Sequence, residues 1–213
     1  MAVPVLILGD SGSGKSTSLR NFQEGQAGVL NVACKPLPFR SKIPVIDIHE
    51  TNELNGRKLA AYDYITYLLP LLKSNTIIID DSQYLMSFEM FKRAKETGYN
   101  KFTEIGTHFY NLIKSVINIP KKEKIVYFLH HIDVTETNKI KAKTIGKMLD
   151  NQLCLEGLFS VVLLCKTDGK QHYFETQSDG LSCAKSPIGM FETMRIDNDL
   201  AFVDRKIREY WGL

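Results

Sequence analysis

Short apolar runs alternate along the chain with longer segments whose apolar residues recur at helical spacing. Val3–Leu8 is an apolar run ended by Gly9 and predicts a buried strand. Ser16–Phe22 predicts a helix, Gly25–Gly28 a turn and Val29–Ala33 a second strand. Lys35–Pro44 carries Pro36, Pro38 and Pro44, which removes backbone donors and excludes a regular element. Val45–Ile48 predicts a short strand. Over Gly56–Leu72, Leu59, Tyr62, Ile65, Leu68 and Leu69 repeat with helical period. The β-branched run Thr76–Ile79 predicts a buried parallel strand.

Further on, Tyr84–Thr97 and Phe102–Asn118 predict two helices broken at Gly98-Tyr99-Asn100. Lys124–His130 predicts another buried strand, and the polar, basic stretch Ile132–Thr144 a loop or mobile hairpin. Leu158–Cys165 and Gln171–Thr176 flank Thr167-Asp168-Gly169-Lys170, a hairpin signal, and Asp197–Trp211 predicts a terminal helix. Strands alternating with helices predict an α/β fold: a mainly parallel sheet flanked by helices, with an antiparallel hairpin extension. No repeat or linker divides the 213 residues, so residues 1–213 read as a single domain.

Composition narrows the class. Hydrophobic residues make up 44% and charged residues 24%, which excludes a largely disordered chain, a collagen-like chain and a disulfide miniprotein. No apolar run reaches the ~18–20 residues of a membrane span, so no membrane association is expected. Met1–Leu8 is short, has no basic lead and runs into a glycine loop, which argues against a signal peptide. Cys34, Cys154, Cys165 and Cys183 form no C-x-x-C pair, so reduced thiols in a cytoplasm are the simplest reading. Net charge is only +3, but Phe91–Lys147 holds 12 basic against 5 acidic residues while the remainder is net acidic. A central basic segment is a plausible polyanion footprint, although solvated helix faces give the same pattern.

The chemistry is concentrated early. Gly9-Asp10-Ser11-Gly12-Ser13-Gly14-Lys15-Ser16-Thr17 matches G-x-x-x-x-G-K-[ST], between a buried strand and a predicted helix. Glycines let backbone N–H groups turn inward around phosphate oxygens, and a helix start adds its positive end. Lys15 is expected to reach the β- and γ-phosphates of ATP, and the Ser16 hydroxyl to ligate Mg²⁺. Such a loop needs an acidic residue at the end of a second strand. Ile79-Asp80-Asp81 supplies it, with Asp80 expected at the metal and Asp81 at the attacking water. Glu50 and Glu53 compete for the base role.

Three readings follow. A GTPase needs N-K-x-D, and Cys165-Lys166-Thr167-Asp168 lacks the Asn. A small-molecule kinase clamps phosphates with arginines, and the chain has 7 without a lid-like cluster. A RecA-like ATPase acting on DNA fits the element order best. Lys92, Arg93, Lys95, Tyr99 and Lys101, with Phe102, occupy the first break after the acidic strand. Lys139, Lys141, Lys143 and Lys147 follow the strand that ends in His130-His131. Cations tracking phosphates and rings stacking on bases suit a single strand.

Over nearly its whole length the chain resembles the phage-encoded RecA-like ATPases of the Sak group. The matching stretches are GDSGSGKST, KPLPF at Lys35–Phe39, IIIDDSQYLM at Ile77–Met86 and FKRAKETGYNKFTEIG at Phe91–Gly106. YFLHH at Tyr127–His131, IGKMLDNQLCLEGLFSVVL at Ile145–Leu163 and AKSPIGMFE at Ala184–Glu192 complete them. The resemblance implies a RecA-like P-loop NTPase core that binds ATP and Mg²⁺, binds single-stranded DNA, and promotes strand annealing or exchange. It implies a homo-oligomer with ATP at subunit interfaces and work beside a phage single-strand-binding protein. It implies a γ-phosphate sensor at His131 and a basic finger at Lys185 reaching a neighbour's ATP. One departure stands out: Asn31-Val32-Ala33-Cys34 ends an early strand without the acid that RecA proteins carry. An ATP-gated module that binds a protein partner and hydrolyses almost nothing is therefore the alternative.

Overall fold

The computed structural model describes residues 1–146 and 153–213. Its apolar runs are strands of one sheet: β1 (Val3–Gly9), β2 (Ala27–Asn31), β3 (Val45–Asp47), β6 (Thr76–Asp80), β7 (Ile125–Val134) and β9 (Val161–Thr167). β10 (His172–Glu175) and β11 (Arg195–Asp197) extend it, and β8 (Ile140–Ala142) folds back on β7. The order is β11-β10-β9-β1-β7-β6-β2-β3. From β9 to β3 every pairing is parallel, and β10 and β11 add on antiparallel. The β9–β10 hairpin is the one its turn signal predicts: Asp168 Oδ1 accepts from the Lys170 and Gln171 amides.

The central strands are buried on both faces, as a covered parallel sheet requires. Leu6, Leu8, Ile77, Ile79, Val126 and Phe128 face one way, onto α1 (Ala61–Leu71), α2 (Tyr84–Lys92) and α3 (Asn100–Ile117). Val5, Ile7, Ile78, Tyr127 and Leu129 face the other, onto Leu19 and α4 (Leu200–Trp211). Alternation with period two sets this division.

Three elements differ from expectation. The segment after Gly9 is a 3-10 helix over Ser16–Asn21, not an α-helix. Its Ser16, Thr17 and Ser18 compete for backbone partners, and Ser18 Oγ donates to the Lys15 carbonyl at 2.6 Å. The predicted helix over Gly56–Leu72 begins only at Ala61, because β4 (Thr51–Leu54) and β5 (Arg57–Ala60) form a hairpin there. Asn55 and Gly56 both have positive φ at its tip, the geometry of an Asn-Gly type I′ turn. Strand β11 has no counterpart in the sequence pattern. By contrast, of the loop and hairpin expected for Ile132–Thr144 the hairpin forms, with Ile132 opposite Ala142 and Val134 opposite Ile140.

The C-terminal helix is fastened through a buried polar network. Asp204 Oδ1 accepts from Thr76 Oγ1 and Tyr127 OH, each at 3.0 Å. Arg208 Nε donates to Asp204 Oδ2 at 2.7 Å and its Nη1 to the Glu123 carbonyl at 2.6 Å. Removing the carboxylate strands two hydroxyls and a cation in the interior. Asp204→Ala is expected to lower unfolding free energy by roughly 3 kcal/mol in urea titration, and Asp204→Asn by less.

Candidate functional site

The carboxyl ends of the parallel strands converge, which is where open α/β sheets present their ligand crevice. Register aligns Gly9 with His131 on one side and Cys165 on the other, while Asn31 aligns with Asp80. A pocket of about 300 Å³ opens there, lined by Ser11, Gly12, Gly14–Thr17, Lys35, Pro36, Pro38, Asp80, Asp81 and His131. The structure thus gathers most of the predicted phosphate loop, both aspartates and His131 in one place.

The loop has the form that anion binding needs. The amides of Gly12, Gly14 and Lys15 have no hydrogen-bond acceptor among the described residues. Gly14, at φ +102, lies so close to His172 that a Cβ would collide with its ring. A Cβ on Gly9 would strike Ser13 and Cys165. Asp10 and Ser13 shape the turn: the Ser11 amide donates to Asp10 Oδ1 at 2.8 Å, and the Ser13 amide to the Asp10 carbonyl at 3.2 Å. Neighbours brace it from outside. Cys165 Sγ donates to the Ser13 carbonyl at 3.0 Å, and Asn198 Nδ2 to the Gly14 carbonyl at 3.2 Å. These two supports lie far along the chain and carry no motif.

Lys15 is buried, and its Nζ donates to the Gly9 and Asp10 carbonyls, each at 2.9 Å. Burial pulls its ammonium below the ordinary lysine value, against the attraction of Asp81 and Cys165. Ser16 Oγ donates to Asp80 Oδ1 at 3.0 Å. Two hard oxygens side by side, one hydroxyl and one carboxylate, fit a Mg²⁺ ion that takes its other ligands from phosphate and water. Among the described residues no group of three or more His, Cys, Asp or Glu side chains could hold a metal alone. Burial and the adjacent Asp81 charge push the Asp80 carboxyl up to about 6.

Asp81 stands apart. Its φ is +57 and its carboxylate is almost wholly buried. Oδ2 lies 2.5 Å from Lys35 Nζ and Oδ1 lies 3.3 Å from His131 Nε2. Burial alone raises this carboxyl, but the contacts with His131 and Lys35 outweigh it and hold the group at about 2. In this state Asp81 is a weak base with both oxygens engaged. Lys35, which the sequence offers only as part of a proline-rich loop, completes the site. Glu50 lies in a separate, mainly apolar cavity of about 330 Å³. Glu53 is exposed on β4. Neither lines the phosphate pocket.

Behind the pocket, His130 is fully buried. Its Nδ1 is 2.9 Å from Ser82 Oγ and its Nε2 is 2.8 Å from the Lys143 carbonyl. A neutral ring with hydrogen on Nε2 satisfies both, since Ser82 then donates to Nδ1. The Lys143 amide donates to the His131 carbonyl at 2.9 Å. The turn after the aspartates is thereby tied to the basic hairpin through one ring.

The predicted DNA-binding residues divide. Lys92, Lys95, Lys139 and Lys143 are exposed, and Tyr99 is 87% exposed. Phe91, at 77%, joins them as an aromatic that helical spacing alone does not mark. Lys141 is half-buried opposite Asp133 on β8. Arg93 and Lys101 require correction. Arg93 is held by Glu89, Glu96 and Glu104. Lys101 is buried, donating to the Glu96 carbonyl at 2.6 Å where the chain turns from α2 to α3. Both are spent on internal partners. Gly146 abuts Phe102, which brings the two basic segments together. Lys147 lies outside the described residues. Lys185 is remote from the chain's own phosphate pocket: it bridges Val162 on the edge of β9.

No family model matches the chain, and no curated protein does either.

Burial lowers the His130 pKa to about 4 from its ordinary 6.5. The ring is neutral in the fold and charged in the unfolded chain below pH 6.5. Stability from this group is therefore whole above 6.5 and lost as pH falls toward 4. His130→Gln is expected to be less stable at pH 7 yet to show a shallower decline between pH 6.5 and 4, measured by urea unfolding across pH.

Proposed function

We propose that this protein is a RecA-like, Mg²⁺-dependent ATPase that binds single-stranded DNA and promotes strand annealing or exchange. The observation that carries the nucleotide half is the Ser16–Asp80 hydrogen bond beside Lys15 and the unpartnered loop amides. They form a charged, phosphate-sized pocket whose hard oxygens suit magnesium. Strand order supports the RecA-like reading over the other two. The strand carrying His131 runs between the phosphate-loop strand and the acidic strand, where that resemblance calls for a sensor. Of the two positions that match a guanine-reading motif, Asp168 is consumed by its turn and by Arg195 at 2.8 Å, and Lys166 by Glu175 at 2.9 Å. Arg93, Arg195 and Arg208 are paired internally and no arginine lines the phosphate pocket, which gives no support to a kinase-like phosphate clamp.

The DNA half rests on continuity. His131 faces the phosphate pocket, and its own strand runs on into the hairpin that carries Lys139 and Lys143. A shift of His131 on nucleotide binding moves the hairpin with it. Lys92, Lys95, Phe91 and Tyr99 offer cations and rings on the neighbouring segment. Lys185 serves a neighbouring subunit's nucleotide in this reading. One observation favours the second reading, an ATP-gated module with almost no turnover: both Asp81 oxygens are occupied.

Fluorescence anisotropy with single-stranded DNA, with and without ATP–Mg²⁺, separates the two. Salt-sensitive binding that tightens with ATP supports the first; absence of DNA binding in both states rejects it. Lys15→Ala is expected to weaken ATP binding by at least tenfold in titration calorimetry, since the phosphates lose a buried charge partner. Replacing Lys139 and Lys143 together by Ala is expected to lower DNA affinity and to reduce the salt slope by about 0.7 for each phosphate no longer neutralised.

A further inference from the structure

Lys35 stands where its backbone is held and its side chain is largely exposed apart from its ion pair with Asp81. Asn31 Nδ2 donates to the Lys35 carbonyl at 3.0 Å and to Asp47 Oδ1 at 2.7 Å. Cys34 before it has φ +52, and Pro36 after it restricts Lys35 to extended conformations. The side chain is 56% exposed, and its ammonium crosses the mouth of the phosphate pocket to Asp81. Asp81 has the opposite character. Its carboxylate is 4% exposed, its carbonyl accepts from the Tyr84 amide at 2.9 Å, and the Ser82 amide is tied to the Leu129 carbonyl at 2.9 Å. Of the two partners, only the lysine has room to move.

The pocket that Lys35 overhangs is built for polyphosphate. A triphosphate on the Gly12–Thr17 loop brings several negative oxygens to the side of the pocket where the Lys35 ammonium already lies. A carboxylate offers that ammonium one charge; a terminal phosphate offers up to two and is reached by rotation of the lysine side chain. A diphosphate lacks that terminal group. We propose that Lys35 reads the γ-phosphate: its ammonium exchanges Asp81 for the terminal phosphate of ATP, and the exchange opens Asp81 Oδ2 to water. With ADP the ammonium stays on Asp81 and the carboxylate remains latched. The inference rests on the nucleotide reading above and gives the early lysine a role that the missing early acid leaves open. It makes Lys35 a positioning and specificity residue, acting on water only through Asp81.

The test is equilibrium binding of ATP, a non-hydrolysable triphosphate analogue and ADP, each with Mg²⁺, to the wild type, Lys35→Met, Lys35→Arg, Asp81→Asn and the Lys35→Met/Asp81→Asn double variant. Lys35→Met is expected to weaken both triphosphates at least tenfold and ADP less than twofold, with Lys35→Arg restoring most of the difference. Asp81→Asn, by releasing the lysine, is expected to tighten triphosphate binding severalfold, and that gain is expected to vanish in the double variant. Thermal unfolding of each variant identifies any loss that is merely structural, since such a loss lowers ATP and ADP affinity alike. Equal effects of Lys35→Met on ATP and ADP, or a gain in Asp81→Asn that survives without Lys35, overturns the assignment while leaving the nucleotide site intact. A wild type that binds none of the three nucleotides overturns the nucleotide reading and this inference together.

Discussion

Two carboxylates and a lysine share the nearly dry end of a sheet, and much of the site follows from keeping them apart. Asp80, Asp81 and Lys15 are all buried. Charges taken out of water are costly unless each finds a partner. Asp80 takes the Ser16 hydroxyl, Asp81 takes Lys35 and His131, and Lys15 takes two carbonyls of its own loop. The consequence is divergence. One aspartate is pushed up to about 6 and the next is held at about 2. Environments that drive adjacent acids apart are a mark of functional sites, though structural ion pairs do so as well.

That arrangement needs a rigid frame, and the sheet provides it. β6 and most of β1, β7 and β9 are buried on both faces, which anchors the strands from whose carboxyl ends the site is built. The braces are distributed. Cys165 and Asn198 hold the phosphate loop from β9 and from the approach to α4. His130 holds the turn after the aspartates against the basic hairpin. Asp204 and Arg208 hold α4 to the ends of β6 and β7 away from the pocket. A perturbation at the Gly9–Thr17 loop therefore has a short covalent and hydrogen-bonded route to Lys143.

Much of this was legible in the residues. The phosphate loop, its strand, the acidic strand and the β9–β10 hairpin each carry a local pattern. The β4–β5 hairpin had its own mark in Asn55-Gly56, but the helical spacing of Leu59 and Tyr62 masked it. The charge pattern misled where lysines and arginines were weighed without their partners. Arg93 faces three glutamates and Lys101 turns inward to a carbonyl, neither of which spacing alone reveals. Lys35 went unassigned for the converse reason: it lies 46 positions before Asp81 in the chain.

By itself the sequence determined what depends on neighbours within a few positions: the turn geometry of Gly12 and Gly14, the run of apolar residues that buries a strand, the hydroxyl after Lys15 and the acid after Ile79. These are interactions of short range, set by backbone conformation and side-chain period. Only the tertiary structure decided which cations are free, which aspartate is basic, and what faces the phosphate pocket across its mouth. Such properties depend on burial and on charges brought together from distant segments, and a charge in a low-dielectric interior responds to every partner within a few ångströms, whatever its distance along the chain.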